Sequence, residues 1–250
     1  MALINWDDYY IHSSDDDLWQ VDQTQLKRNA FLIAAMAYYL GKATPADVPL
    51  LLSETRAQGV TRLANDLKAA VNEIQTLDDA DEAYKNAHLL IEQGFLREER
   101  ALNSLSKFAE NQPELLSFID QNIQSLKKTE NSYFDAIRLN YKMRFGNDAP
   151  ENPVLNENEK MAQLKIPVNI DNLAEYYKNR KLVKFKGQLH STMQFELYNF
   201  VDGKRSYFDI YKALKAENLA ASRFYYGEVV FDDVVKRLDE AVEKNVVRLK

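Results

Sequence analysis

Apolar residues recur at helical spacing through the middle of the chain and predict three long helices between Thr44 and Phe145. The second helix begins at an Asp78-Asp79 cap, and the third follows Pro113 and continues to Phe145. The positions that we assign to the buried face of the first helix are Val60, Leu63, Ala64, Leu67, Val71 and Ile74. Because short polar turns separate these helices, we expect them to pack as antiparallel neighbours.

The first 42 residues have a different pattern. The apolar run Ala2–Trp6 predicts a strand, and a polar loop rich in Asp and Ser follows it. Asp22 is suited to cap a helix that contains the apolar stretch Ala30–Leu40. Strand, loop and helix in this order are typical of the last unit of an α/β domain, but one strand cannot form a sheet. We therefore expect this unit to complete a sheet whose other strands are supplied from elsewhere.

The C-terminal third is predicted to be a small module after a linker. Residues 147–170 are rich in proline and asparagine, which is typical of an extended connection. An alternating run at Leu182–Phe185 is followed by three predicted helices, around 195–200, 207–217 and 228–244, and then by the strand-like Val246–Leu249. Three helices followed by a strand is the order of a winged-helix module.

The sequence thus predicts a mainly α (α+β) protein with four parts. They are the end of an α/β domain at 1–42, a helical extension at 43–146, a linker at 147–170 and a winged-helix-like module at 171–250.

Composition and charge narrow the classes of function. Hydrophobic residues make up 46% of the chain, which supports a folded core, and the net charge of -6 gives no general attraction to nucleic acid. The predicted last helix is itself acidic, unlike a helix that enters a DNA groove. Without cysteine, the chain has neither disulfides nor cysteine ligands. The apolar stretch Ala30–Leu40 is about half the ~20 residues that span a bilayer, so we expect no membrane span.

Histidines are the candidates for site chemistry, because serine-hydrolase, zinc-helix and phosphate-loop motifs are missing. His12 follows the predicted strand, where α/β folds place ligands, and imidazole binds zinc; the alternative is a surface loop residue. His88 lies within a predicted helix and is expected to pack, and His190 lacks acidic neighbours at ligand spacing. The charged pair Glu98-Glu99 predicts a solvated helix face.

The segments Tyr10–Asp17 and Val21–Arg28 resemble the final metal-ligand loop of metallopeptidase family 28, the two-zinc aminopeptidases related to bacterial leucyl aminopeptidase. In this resemblance His12 falls on the last zinc-binding histidine of the family. Asp16 falls on the aspartate four residues later, and Asp22 on the acidic residue before the closing helix.

Two positions depart from the family pattern, since Asp17 replaces the usual threonine and Gln23 the usual proline. The stretch Leu197–Ser206 with Asp209-Ile210 resembles a C-terminal extension of some bacterial members of the same family, and also small winged-helix peptide-binding modules.

The resemblance implies a part of an enzyme that removes N-terminal residues from peptides with two zinc ions. The family's remaining ligands come from earlier strands, so we expect this chain to be inactive alone. A longer parent would be periplasmic or secreted, although the segment MALINWDDYY is not a secretion signal. The alternative is a non-enzymatic interaction protein whose helices and winged helix bind a protein partner or a second copy, with a vestigial loop at His12.

Overall fold

The computed structural model describes residues 22–221 and 226–250, and this part is mainly helical, as predicted. The helices are α1 (Gln23–Lys42), α2 (Val48–Thr76), α3 (Ala80–Asn103), α4 (Pro113–Lys127), α5 (Glu130–Phe145), α6 (Glu157–Gln163), α7 (Leu173–Arg180), α8 (Ser191–Asn199), α9 (Tyr207–Ala221) and α10 (Phe231–Glu243). The strands are β1 (Pro167–Asn169) and β2 (Val247–Leu249), and short 3₁₀ turns cover Pro45–Asp47 and Ser104–Phe108. None of the helices described has the length and apolar character needed to cross a bilayer.

Helix α3 is the central element of the fold. It begins where the sequence predicts, because one carboxylate oxygen of Asp79 accepts the N–H groups of Asp81 and Glu82 at 2.9 and 3.0 Å. Only residues 77–79 separate α2 from α3, so the two helices run antiparallel. Helix α3 also packs against α4, α5 and α9 and thereby joins the helical extension to the C-terminal part.

A network of charged side chains, in which the two acids are buried and the two arginines are exposed, lies between α2 and α3. Arg62 donates two hydrogen bonds to Glu98, from Nε to Oε1 at 2.9 Å and from Nη2 to Oε2 at 2.7 Å. Arg97 donates to both acids, to Oε1 of Glu98 at 2.6 Å and to Oδ2 of Asp66 at 2.8 Å. Glu98 is only 1% exposed, so the solvated face predicted for this position is wrong. Although burial alone would raise the pKa of Glu98, the bonds from both arginines outweigh it and lower that pKa.

Each buried acid lies over a glycine of the opposite helix. A β-carbon added to Gly59 of α2 would meet Oε2 of Glu98 at 2.7 Å, and one added to Gly94 of α3 would meet Oδ2 of Asp66 at 2.7 Å. At two points along their contact, an acid of one helix therefore packs against a glycine of the other. This reciprocal arrangement fixes which residues of α2 and α3 face each other.

The buried face of α2 differs from the predicted one. Val60 is 47% exposed and Ala64 is also exposed, whereas Leu63 and Ile74 are buried as expected. The buried positions of α2 are Val48, Leu52, Gly59, Leu63, Asp66, Ala70 and Ile74. The prediction counted only apolar residues and so missed a face that includes glycine and aspartate.

The third predicted helix is two helices, α4 and α5. The backbone N–H and the side-chain hydroxyl of Thr129 both donate to the carbonyl of Leu126, at 2.9 and 2.7 Å. A threonine hydroxyl that bonds to a nearby carbonyl competes with the regular helical pattern. The chain turns at Lys128 and Thr129 while apolar spacing continues on both sides, which is why periodicity alone predicted one helix.

The segment predicted as a linker contains regular structure. Asn156 and Glu159 form a reciprocal capping box that starts α6, and Ala162 of this helix belongs to the C-terminal hydrophobic core. Strand β1 pairs antiparallel with β2, with Val168 opposite Arg248. Helices α8, α9 and α10 followed by β2 give the predicted order of elements. The winged-helix assignment itself stays a prediction.

The alternating run Leu182–Phe185 forms a loop and not a strand. One face of α10 holds this loop through side chains one to two turns apart. Glu240 accepts two N–H groups of the loop at 2.7 and 3.0 Å, Asp233 accepts the N–H of Gln188 at 2.7 Å, and Arg237 donates to a loop carbonyl. Because these bonds satisfy the loop backbone, the loop needs no neighbouring strand.

We expect Gly59→Ala to lower the free energy of unfolding by about 1 kcal/mol, because overpacking against Glu98 outweighs the better helix propensity of alanine. In a Glu98→Ala background the clash is gone, so the same change should raise that free energy by up to about 1 kcal/mol. Urea unfolding of the wild type, the two single variants and the double variant measures this reversal of sign.

Gly41→Ala is the matched control, because a β-carbon at Gly41 meets nothing within 4 Å. An equal effect of Gly59→Ala in both backgrounds would contradict the reciprocal packing.

Candidate functional site

Of the three positions matched to the peptidase loop, only Asp22 is within the described part of the chain; His12 and Asp16 lie outside it. Asp22 caps α1 as predicted, because its Oδ1 accepts the N–H groups of Thr24 and Gln25 at 2.8 and 3.1 Å. Its carboxylate therefore starts the helix that follows the predicted ligand loop.

The other two histidines have structural roles in the fold. His88 stacks on Phe134 with ring centroids 4.5 Å apart, which confirms the predicted packing role, and burial lowers its pKa. His190 caps α8, where its Nδ1 accepts the N–H of Thr192 at 3.3 Å. Within residues 22–221 and 226–250, no three His, Asp or Glu side chains converge on a point that could hold a metal ion.

Helix α1 carries an apolar surface that is open to solvent. No residue of this helix is buried. Phe31 and Tyr38 are 72% and 70% exposed, and at 100° per residue they lie opposite Leu26, Ile33 and Leu40. A helix that is apolar on opposite sides is typical of a protein interior. The exposed apolar residues of α1 are Leu26, Phe31, Leu32, Ile33, Met36, Tyr38, Tyr39 and Leu40.

A cleft of about 650 Å³ lies between α3 on one side and α8 and α9 on the other. Its walls are mostly apolar, with Leu90 and Leu96 on α3 and Met193 on α8. Helix α9 contributes Ala213, Ala216 and Ala220, whose spacing of three and four residues places them on one face. These small side chains leave the space open. A volume of this size is in the usual range for small-ligand sites.

Two acids share the α8–α9 wall of this cleft. Glu217 has no hydrogen bond or ion pair among the described residues, and Glu196 accepts only one bond, from Asn199 at 2.9 Å. Glu217 is itself exposed to solvent, but the surrounding walls of the cleft remove part of the hydration of its carboxyl. This burial, together with the nearby charge of Glu196, raises the pKa of Glu217 to about 7.

The α3 wall carries positive charge. Arg97 lines the cleft while it binds Asp66, and Arg100 lies one helical turn away at i+3. The guanidinium of Arg100 makes no hydrogen bond or ion pair with any residue that the structure describes. Because Arg97 is paired with Asp66, Arg100 supplies the positive charge that faces the wall of Glu196 and Glu217.

Sequence reasoning did not identify this cleft. Arg100 is more than ninety positions from Glu196 and Glu217, and no local motif links them. The one sequence feature that relates to the cleft is the spacing of the alanines on α9. The same spacing also occurs where two helices pack closely, so it does not by itself predict a cleft.

We expect the side-chain carboxyl of Glu217 to titrate near pH 7, and Glu196→Gln to lower this midpoint, because a like charge is removed. The midpoint should stay above the ordinary value of 4.5, since burial is the larger cause. Carboxyl-carbon NMR titration of both proteins measures this.

A folded pKa above the unfolded value also means that Glu217 lowers stability as pH rises from about 4.5 to about 7. The melting temperature of Glu217→Gln minus that of the wild type should therefore increase over this range. A midpoint near 4.5 would contradict the arrangement of the cleft.

No protein-family model, curated protein or solved structure matches this chain. The resemblance of residues 10–28 to the two-zinc peptidases therefore stays a prediction from the sequence.

Proposed function

We propose that this chain is the C-terminal part of a zinc-dependent aminopeptidase, an enzyme that hydrolyses N-terminal residues from peptides, and that it is inactive alone. The observation that carries the proposal is the exposed apolar surface of α1. This helix begins at Asp22, directly after the segment that resembles the family's final ligand loop. In such a peptidase the closing helix packs on the catalytic domain, which would cover this surface.

The energetics of α1 support a covering domain. Fully burying one large apolar side chain contributes about 1.5–3 kcal/mol. Since the eight exposed apolar side chains of α1 are already partly covered, burying the rest is worth on the order of 10 kcal/mol, as an upper estimate. A surface of this kind is typical of an interface.

The zinc ions of the proposed enzyme are assigned through the resemblance alone. The described residues contain no cluster of three metal-binding side chains, so they do not themselves form the metal centre. In the proposal, His12 contributes one ligand, and zinc supplies the activation of water. No catalytic step is assigned to the described residues, whose role is to attach and extend the catalytic domain.

The second candidate is a non-enzymatic interaction protein, and the same exposed helix favours it. In that case α1 would bind the partner, and the loop around His12 would have no metal. The two functions differ in what covers α1: a domain of the same polypeptide in the first, and a separate protein or a second copy in the second.

We expect Ile33→Asp to lower the free energy of unfolding of the 250-residue chain by no more than about 1 kcal/mol, because Ile33 is 51% exposed. It should also reduce the binding of a hydrophobic dye. The control is Leu63→Ala at a buried position, which should cost about 2–5 kcal/mol. A loss from Ile33→Asp as large as that from Leu63→Ala would mean that α1 packs within this chain, contrary to the proposal.

The direct test is to precipitate the native polypeptide from its source cells with an antibody against residues 171–250. The proposal predicts a polypeptide well above 28.9 kDa that cleaves a leucyl anilide and loses this activity with a zinc chelator. The recombinant chain, precipitated in the same way, should be inactive. A native polypeptide of 28.9 kDa without activity would contradict the proposal and favour the interaction protein.

A further inference from the structure

We propose that the cleft between α3 and the α8–α9 pair binds a short peptide with free termini and apolar side chains. The peptide ammonium would lie at Glu196 and Glu217, and its terminal carboxylate at Arg100. The chemistry of the walls carries this assignment, which is independent of the proposed peptidase role.

The shape and lining of the cleft suit such a ligand. Its volume of about 650 Å³ is large enough for a small ligand and is bounded mainly by apolar side chains. The small alanine side chains of α9 leave space along one wall. Apolar surface for leucine-like side chains is supplied by Leu90, Leu96, Met193 and Phe200. A ligand with no apolar part would leave this apolar surface in contact with water.

The charges of the cleft select the termini. Glu217 and the guanidinium of Arg100 both lack a hydrogen bond or ion pair in the described ranges, although each lines the same cleft. Glu196 adds a second acid beside Glu217, so the two carboxylates repel each other until a cation arrives. A cation at this wall and an anion at the α3 wall therefore gain charge-assisted hydrogen bonds that the free protein does not make.

An internal segment of a protein does not meet both requirements. It presents uncharged backbone amides in place of the two charged ends, and it would leave the acids and Arg100 without partners. A free amino acid carries both charges but offers only one side chain to the apolar walls. A short peptide satisfies the charges and the apolar walls together.

The test is isothermal titration calorimetry at pH 7.5 with three probes: Leu-Leu-Leu, its N-acetyl form and its C-terminal amide. The wild-type chain should bind the free tripeptide at least about tenfold more tightly than either blocked form, because each block removes a charge-assisted bond. Mass spectrometry of the recovered probes checks that none is cleaved.

Protein variants locate the termini. Glu217→Gln should weaken the free tripeptide about tenfold and leave the N-acetyl form unchanged, whereas Arg100→Gln should weaken the free tripeptide and leave the amide unchanged. Ala220→Trp, at an exposed position of the α9 wall, should weaken binding of all three at least about tenfold by occupying part of the cleft. Glu243→Gln, on the exposed end of α10, is the matched control and should bind as the wild type does.

Three results would overturn the inference: no binding of the free tripeptide, equal binding of the three probes, or full binding by Ala220→Trp. Circular dichroism of each variant shows that it is folded. These results do not depend on the size or the activity of the native polypeptide, so the inference and the proposed function can fail separately.

Discussion

The network that two buried acids form with Arg62 and Arg97 between α2 and α3 is the constraint on which the rest of the structure depends. Burying Asp66 and Glu98 costs hydration free energy that their bonds to Arg62 and Arg97 must offset, so the network adds little net stability. Its effect is on register. A slip of one residue would press each acid against a β-carbon and leave a buried carboxylate without its arginine, which disfavours any other register.

The same register positions the rest of the molecule. Three residues of the cleft lining also belong to the network or to its glycine contacts: Asp66, Gly94 and Arg97. The contact between α2 and α3 therefore fixes the position of the α3 wall. On its other side α3 packs against α9, whose Ala216 and Leu219 join the core of the helical extension. An ion pair of 2.6 Å between Glu92 and Lys212 closes the contact. The cleft is therefore the space that remains where two hydrophobic cores meet.

The elements that depend on local signals could be predicted from the sequence. Asp22 and Asp79 cap the helices they were expected to cap, because a capping bond involves neighbouring residues only. The burial of Glu98 could not be predicted, since its partner Arg62 and its glycine are on another helix. Helix α6 begins at a local capping box, but the proline- and asparagine-rich composition of residues 147–170 led to the prediction of a linker. Strand β1 was missed because it pairs with a distant part of the chain. The cleft depends wholly on such distant contacts.

The central claim is that another domain of the native protein covers α1. Hydrogen exchange of the amides of residues 23–42 tests it most directly, in the native polypeptide purified from its source and in the recombinant 250-residue chain. A covered helix exchanges slowly, whereas an exposed helix frays and exchanges fast. The account predicts strong protection of this segment in the native polypeptide and little in the recombinant chain. Equally fast exchange in both would contradict it.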